Sequence, residues 1–262
     1  MREQAAGAHS GTADVVLKLI GIGTGNPDHL TRQAEQALRT ADLVLLPRKG
    51  EDKADLADLR RDICARVLGG SARVVEFDLP VRAADGDYLA AVADWHQAIA
   101  TCWAARIAAH LPAGGCVALL VWGDPSLYDS SLRIAQRVRA GGLPLRVEVV
   151  PGITSVQALT AAHAIALNTL AAPVLLTTGR RLRAGGWPAG VDTVAVMLDG
   201  GCAFEALEAA GLEIWWGAYL GMPQQALMAG PLTELAEPIR RRRAALRAEH
   251  GWIMDVYLLR RS

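Results

Sequence analysis

The sequence predicts an α/β fold of two domains with a ligand cleft between them. Apolar runs alternate with amphipathic stretches through residues 15–150, which is typical of a largely parallel sheet covered by helices. The alternation loosens at Pro151-Gly152, and the chain closes on another apolar run at 253–259. We therefore expect a disordered tail over 1–14, an N-terminal α/β domain over 15–150 and a C-terminal α/β domain over 151–262.

The N-terminal domain is expected to contain five strands. The first leads through a glycine-rich loop into a helix that opens near Asp28 or His29. Pro47 is expected to end the second strand, because proline cannot continue the pairing of a sheet. The predicted strands cover 15–22, 43–46, 74–77, 116–121 and 145–150, and the predicted helices cover 30–41, 48–68, 87–110 and a segment that begins at Leu127.

The C-terminal domain is expected to hold a second sheet with mixed strand directions, since the chain closes on an apolar strand. Its first helix, 153–164, has Thr154 or Ser155 available as its cap. Four consecutive arginines, 240–243, are expected on an exposed face of the last helix. The predicted strands cover 174–177, 193–197, 213–218, 226–228 and 253–259, and the last helix covers 232–249.

Composition excludes several classes of function. Lys plus Arg and Asp plus Glu both number 27, so no basic excess indicates a nucleic-acid partner. No apolar run approaches the ~20 residues that span a bilayer, so no membrane partner is expected. The four cysteines lie far apart and fit neither a disulfide framework nor a metal site, which favours a cytoplasmic protein without a metal.

The loop Gly21-Ile22-Gly23-Thr24-Gly25 is similar to a dinucleotide fingerprint in composition only. Asn26 stands in place of the third glycine, and Arg48 stands where an acid would hold the ribose. Because an arginine can accept a 2′-phosphate, an NADP-dependent reductase remains an alternative. The sequence contains neither the phosphate-binding pattern GxxxxGK[ST] nor the hydrolase pattern GxSxG.

Two further glycine turns follow predicted strands. Gly123-Asp124-Pro125 comes after the most apolar strand, at the edge where α/β sheets bind ligands. Asp124 either caps the next helix or contributes to a ligand site. Pro151-Gly152-Ile153-Thr154-Ser155 joins the two halves, and a linker with a capped helix at this point is compatible with ligand contact.

Together, the turns at 21–27, 123–128 and 151–155 resemble those of the tetrapyrrole methylase family, and the resemblance extends over 17–259. It implies two α/β domains of the class III methyltransferase type, with S-adenosylmethionine in the cleft between them. Matches at 48–56, 121–130, 197–200 and 251–255 resemble the members of cobalamin biosynthesis that methylate precorrin-5 at C1 and release acetate. Another precorrin or uroporphyrinogen methyltransferase of the family is the alternative, and a non-catalytic nucleotide or tetrapyrrole carrier is a further one.

The resemblance also implies roles for individual residues. The family's first loop usually reads GxGPGDP, and here Thr24 and Asn26 replace the proline and the aspartate. Met197 matches the residue that lies against the adenine. The residues implied to contact S-adenosylmethionine or its product S-adenosylhomocysteine are Pro27, Trp122, Gly123, Asp124, Leu127, Thr154, Ser155, Met197 and Gly221. The residues expected to border a tetrapyrrole substrate are Gly23, Thr24, Gly25, Arg48 and Lys49. Since relatives with this architecture are commonly dimers, a homodimer is an expected state.

Acetate release calls for a base that activates water, unless bulk water attacks a substrate activated in another way. The candidates by position are Asp28, His29, Asp124 and Tyr219, and each is also explained as a cap, a surface group or a core aromatic. Four cations (Arg48, Lys49, Arg60 and Arg61) either pair with substrate carboxylates or form ion pairs on a solvated helix.

Overall fold

The computed structural model describes residues 14–48, 54–69, 73–82 and 87–261. The predicted tail therefore lies outside the described residues except for Asp14, and so does Lys49. None of the helices in these ranges is long and apolar enough to cross a membrane. The four cysteines are free thiols.

Within the described ranges, the first sheet has five parallel strands in the order β3-β2-β4-β1-β5, which confirms the predicted parallel sheet. The strands are β1 (Val15–Gly21), β2 (Leu43–Arg48), β3 (Arg73–Asp78), β4 (Gly115–Val121) and β5 (Leu145–Val150). In the centre, Leu19 of β1 lies beside Leu119 of β4 and Val149 of β5. Because every strand runs the same way, the turns that follow them share one edge of the sheet.

Among the described residues, four helices cover this sheet, two on each face. They are α1 (Arg32–Arg39), α2 (Ala54–Leu68), α3 (Tyr88–His110) and α4 (Ser131–Ala140). The first two pack on the face that holds Ile20 and Leu120, and the other two pack on the face that holds Leu19 and Leu119. The chain therefore leaves β1 toward one face of the sheet, to α1, and leaves β4 toward the other face, to α4. The position between the ends of these two neighbouring strands is the topological switch point, where open α/β sheets bind ligands.

The second sheet has the order β6-β7-β10-β8-β9 and mixed directions, as predicted. Its strands are β6 (Val174–Thr178), β7 (Thr193–Met197), β8 (Leu212–Ala218), β9 (Ala226–Pro231) and β10 (Asp255–Arg261). One face is covered by α5 (Ser155–Ala162), and the other by α6 (Gly179–Gly185) and α7 (Leu232–His250). The domain division at 150/151 stays a prediction, and it is supported by the packing of α5 on the second sheet.

Two predicted boundaries in the first loop and second strand are wrong. The α-helix begins at Arg32 because the Thr31 side chain accepts the backbone N–H of Ala34 at 3.0 Å. The residues Pro27–His29 form a single 3-10 turn instead. The second strand continues through Pro47, which lies beyond the last residue of β2 that pairs with β4 and therefore has only β3 as a neighbour.

Two further differences concern helices. The helix predicted from Leu127 begins only at Ser131, after a turn in which Asp129 accepts the N–H of Ser131 at 2.6 Å. The α6 helix was not predicted, because its glycines and arginines carry no apolar periodicity.

The expectation that all four arginines at 240–243 lie on an exposed helix face is wrong for Arg243. Its side chain is only 11% exposed, and Nε lies 2.9 Å from Oδ2 of Asp255, itself 5% exposed. Arg243 also donates to the carbonyl of Asp199 at 2.7 Å, and Asp255 accepts Nε1–H of Trp216 at 2.9 Å. Burial lowers the pKa of Arg243, but the hydrogen bonds and the charge of Asp255 outweigh burial and raise it. The pair therefore ties α7 to β10, β8 and the turn after β7.

We expect Arg243→Met to lower the free energy of unfolding by about 3–5 kcal/mol, because it leaves the buried carboxylate of Asp255 without its cation. Urea unfolding followed by circular dichroism measures this change. Arg242→Met is the matched control, since Arg242 is exposed on the same helix and should cost less than about 0.5 kcal/mol. Equal losses in the two variants would contradict a buried ion pair.

Candidate functional site

The three glycine turns meet at the switch point, where their backbones touch. Gly23 and Gly123 form a two-residue antiparallel bridge with N–H to O distances of 2.8 and 3.3 Å. A Cβ added to Gly21 would lie 2.6 Å from the nitrogen of Gly152, and one added to Gly152 would lie 2.1 Å from the carbonyl oxygen of Gly123. Side chains at these positions would therefore separate the turns, which explains the glycines physically.

Asp124 ties two of these turns together. It is 8% exposed, and its Oδ2 accepts the N–H of Gly152 at 2.8 Å while Oδ1 accepts the N–H of Ser126 at 2.8 Å. Burial raises the pKa of this carboxyl, but the hydrogen bonds from Ser126 and Gly152 outweigh burial and hold it below its ordinary value. The alternative role as a helix cap is wrong, because α4 begins only at Ser131.

A fourth turn, from the second sheet, covers the first loop. A Cβ on Gly25 would lie 2.6 Å from Cγ of Met222, and one on Gly221 would lie 2.8 Å from Cε1 of His29. Both glycines have positive φ, +115° and +79°, which an L side chain rarely adopts. Met222 thus occupies the space beside Gly25, and Gly23, Thr24 and Gly25, which were expected to border the substrate, are buried. Their contact with substrate remains a prediction that requires Met222 to move.

The expected adenine contact, Met197, lies at the end of β7 and packs in one apolar cluster with Ile153 and Leu220. The structure therefore brings Met197 close to the third and fourth turns. The next residue, Leu198, has φ +52° and is 66% exposed. Asp199 holds this turn, since its carboxylate accepts the N–H groups of Gly201 and Ala203 and the O–H of Tyr257.

The remaining expected cofactor contacts differ in how available their side chains are. The Thr154 hydroxyl caps α5 in a capping box with Gln157, so its hydrogen-bonding capacity is used within the helix. Trp122 lies beside the first loop, with its ring 3.3 Å from the Cβ position of Gly25. Pro27, Leu127 and Ser155 are partly exposed on the same turns.

The predicted substrate arginines are engaged with this chain's own acids. Arg48 lies 3.0 Å from Asp78, and Arg61 donates to Glu76 at 2.6 and 3.0 Å. Arg60 donates Nε–H to the carbonyl of Leu120 at 3.2 Å, one residue before the end of β4. These contacts favour the ion-pair interpretation for Arg48 and Arg61. They also weaken the reductase alternative, which rested on Arg48.

Two of the predicted bases are poorly placed for catalysis. Tyr219 is 1% exposed and donates its hydroxyl to the carbonyl of Trp252 inside the second core, so it is corrected to a structural residue. Burial raises its pKa as well. Asp28 is exposed and forms a surface ion pair with Arg66 at 3.3 Å. A side chain so open to water is a weak candidate for a preorganised base.

Sequence reasoning missed two residues that border the site. Met222 follows the expected contact Gly221, but nothing in the sequence indicated that its thioether covers Gly25. Leu198 adopts a left-handed backbone conformation, which is rare for leucine and cannot be recognised from the residue type. The signal in the sequence for Leu198 was the family match over 197–200. Within that match, Asp199 is the residue whose hydrogen bonds hold the turn.

Comparisons with known proteins agree with this geometry. The sequence model of a family described as Tetrapyrrole (Corrin/Porphyrin) Methylases matches residues 16–236. The chain is 49% identical over 249 residues to the precorrin-6A synthase (deacetylating) of a Sinorhizobium sp, covering 94% of this chain and 95% of that protein. Among solved structures, the cobalamin synthesis related protein CobF of Corynebacterium diphtheriae has a TM-score of 0.81 at 38% identity, covering 95% of this chain and 99% of that chain. The uroporphyrin-III C-methyl transferase of Thermus thermophilus, solved with S-adenyl homocysteine, shares the fold with a TM-score of 0.57 at 21% identity over 93% of this chain and 91% of that chain.

We expect Gly152→Ala to destabilise the protein by about 1–3 kcal/mol or more, because the added methyl group overlaps backbone atoms of two other turns. Urea unfolding measures the loss. Gly185→Ala is the matched control, since a Cβ there meets no atom within 4 Å and its φ is not in the positive range. Equal stability of Gly152→Ala and the control would refute the close backbone contact.

A pH dependence follows from Asp124. Its folded pKa lies below the ordinary value of 3.8, so its contribution is present above that value and is lost as pH falls through the folded pKa. At about pH 7 we expect Asp124→Asn to cost about 1.5–3 kcal/mol, the range for hydrogen bonds to a charged group. The difference from the unsubstituted protein should shrink toward about pH 3. Urea unfolding of both proteins between about pH 3 and pH 7 measures this difference. A difference that stays constant over this range would contradict a stabilising role of the ionised Asp124 carboxylate.

Proposed function

Since the chain belongs to the tetrapyrrole methylase family, we propose that it transfers the methyl group of S-adenosylmethionine to C1 of precorrin-5. The reaction releases acetate and gives precorrin-6A in cobalamin biosynthesis. Support for this specific activity comes from 49% identity to a precorrin-6A synthase (deacetylating), with nearly the whole length of both chains covered. The similarity to CobF, with a TM-score of 0.81, supports the same pathway.

The location of the proposed site rests on one observation, which is that four turns from two sheets converge at the switch point. Three of them contact one another through Gly21, Gly123 and Gly152, and the fourth packs on the first loop through Gly221 and Met222. Such a site offers backbone N–H and C=O groups that are already fixed before a ligand arrives. Fixed groups bind a cofactor with little reorganisation.

Methyl transfer makes limited demands on side chains. The methyl group on a sulfonium is already activated, so the protein has to hold the ring carbon in line with the S–CH3 bond. We assign cofactor binding to the turns at 122–127, 152–155 and 221, with Met197 against the adenine. Asp124 serves this site through the backbone that it holds, since both of its oxygens accept hydrogen bonds within the chain.

The tetrapyrrole is proposed to bind beside the first loop, where Gly23, Thr24 and Gly25 meet the turn of the second sheet. Arg60 lies near this edge, because it donates to the carbonyl of Leu120 near the end of β4. Arg48 and Arg61 are assigned to structural ion pairs. A homodimer and a cytoplasmic location remain predictions.

Turnover of precorrin-5 tests the proposal. We expect the purified protein with S-adenosylmethionine to form one S-adenosylhomocysteine and one acetate for each methylated tetrapyrrole, measured by chromatography, an acetate assay and mass spectrometry. Methyl transfer without acetate would retain a methyltransferase but overturn the precorrin-6A assignment. Binding of S-adenosylhomocysteine without any turnover would favour a carrier, and calorimetric binding of NADPH in its place would favour a reductase.

A further inference from the structure

We propose that His29 is the general base that activates water for the release of acetate, with Thr24 as the residue that positions it. This inference rests on the proposed function, because acetate release is the step it explains. Methyl transfer needs no such base, whereas hydrolysis of a carbon–carbon bond to an acetyl group does. The residue must therefore lie beside the methyl-transfer site without belonging to the cofactor contacts.

The position of His29 meets this requirement. It ends the 3-10 turn Pro27–His29, directly after the glycine loop at the switch point. Its backbone N–H donates to the carbonyl of Asn26 at 2.9 Å, and the Asn26 side chain accepts the N–H of Asp28 at 2.9 Å. The residue is held between the two sheets: a Cβ on Gly23 would lie 2.6 Å from Cβ of His29, and one on Gly221 would lie 2.8 Å from the ring atom Cε1. With Gly23 against its Cβ and Gly221 against its ring, the side chain is fixed before a ligand arrives.

Thr24 orients the ring. Its side chain is buried at 4% exposure, and Oγ1 lies 3.2 Å from Nδ1 of His29. When Nδ1–H donates to this oxygen, the lone pair lies on Nε2, the tautomer that a base requires. Within the described ranges, Nε2 makes no hydrogen bond to the protein and is not among the buried unsatisfied atoms, so a water molecule can reach it.

The loop departs from the common GxGPGDP pattern at the residues that build this arrangement. Thr24 supplies a hydroxyl where that pattern has proline, which has none. Asn26 replaces an aspartate and shapes the turn that carries His29. The departures thus coincide with the additional chemical step that this chain is proposed to perform.

The other carboxylates and hydroxyls near the turns are committed elsewhere. Both oxygens of Asp124 accept hydrogen bonds, and its lowered pKa makes it a weaker base. Tyr219 donates its hydroxyl into the second core. Asp28 pairs with Arg66 at the surface. Of the four residues considered, His29 alone combines a fixed ring with a free nitrogen.

The chemical step balances with water as the only additional reactant. Nε2 of His29 takes a proton from water as the oxygen bonds to the acetyl carbonyl carbon. The bond between that carbon and the macrocycle then breaks, and its electron pair passes into the ring system. The released acetic acid ionises to acetate. Its proton and the proton held on His29, which are the two protons of the water molecule, pass to solvent. The methyl group comes from S-adenosylmethionine in the separate transfer step.

Two variants of His29 test the proposal by separating acetate release from cofactor binding. In His29→Ala and His29→Gln, we expect the rate of acetate release from precorrin-5 in single turnovers to fall by about 100-fold or more. Calorimetric affinity for S-adenosylhomocysteine should stay within about twofold, since His29 is not among the assigned cofactor contacts. Added imidazole should restore part of the rate in His29→Ala, which a purely structural role would not allow.

Thr24→Val tests the positioning role of the hydroxyl group, and His110→Gln is the matched histidine control. Thr24→Val keeps the side-chain shape and removes the hydroxyl, so we expect an intermediate loss of acetate release. His110→Gln changes a histidine at the far end of α3 and should leave every rate unchanged. If the unsubstituted protein releases no acetate, the proposed function fails. If it does and both His29 variants release acetate within a few-fold of its rate, the assignment of His29 is overturned while the function stands.

Discussion

The site depends on a close approach of backbone to backbone. A Cβ on Gly21 or Gly152 would overlap main-chain atoms of the neighbouring turns, and the carboxylate of Asp124 holds two of the turns together by a hydrogen bond. This contact makes three strand ends into a single surface. The turns present main-chain groups to a ligand, and the positions of these groups are set by the sheet.

A second set of contacts fixes the other half of the molecule, whose turn at 221–222 packs on this surface. The buried pair of Arg243 and Asp255 joins α7 to the second sheet, and Asp199 fixes the turn that exposes Leu198. Thr154 links the first half to the second, since its capping box begins α5 directly after the glycine turn. Because α5 packs on the second sheet, the two halves are aligned by a helix that starts at the site itself.

Much of this could be predicted from periodicity and turn chemistry. The strands are continuous apolar runs, and the glycine turns stand where the strands end, so the parallel sheet and the clustering of turns were both predictable. Helix starts were less predictable, because several polar residues precede each helix. Thr31 caps α1, whereas the Ser131 N–H at the start of α4 is accepted by Asp129. The burial of Arg243 and the placement of Met222 over Gly25 depend on partners distant in sequence, and an arginine run or a lone methionine carries no sign of them.

The turn at 151–154 has a mechanical consequence. It opens the segment 151–173, through which the chain passes from β5 of the first sheet to β6 of the second, and its Gly152 N–H is hydrogen-bonded to Asp124 of the first half. A relative rotation of the halves that keeps this hydrogen bond pivots close to it. Atoms near the pivot move least, while the outer parts of both sheets travel farther. Opening for a large ligand would then widen the mouth of the cleft and leave its floor, where the methyl donor is proposed to lie, almost stationary.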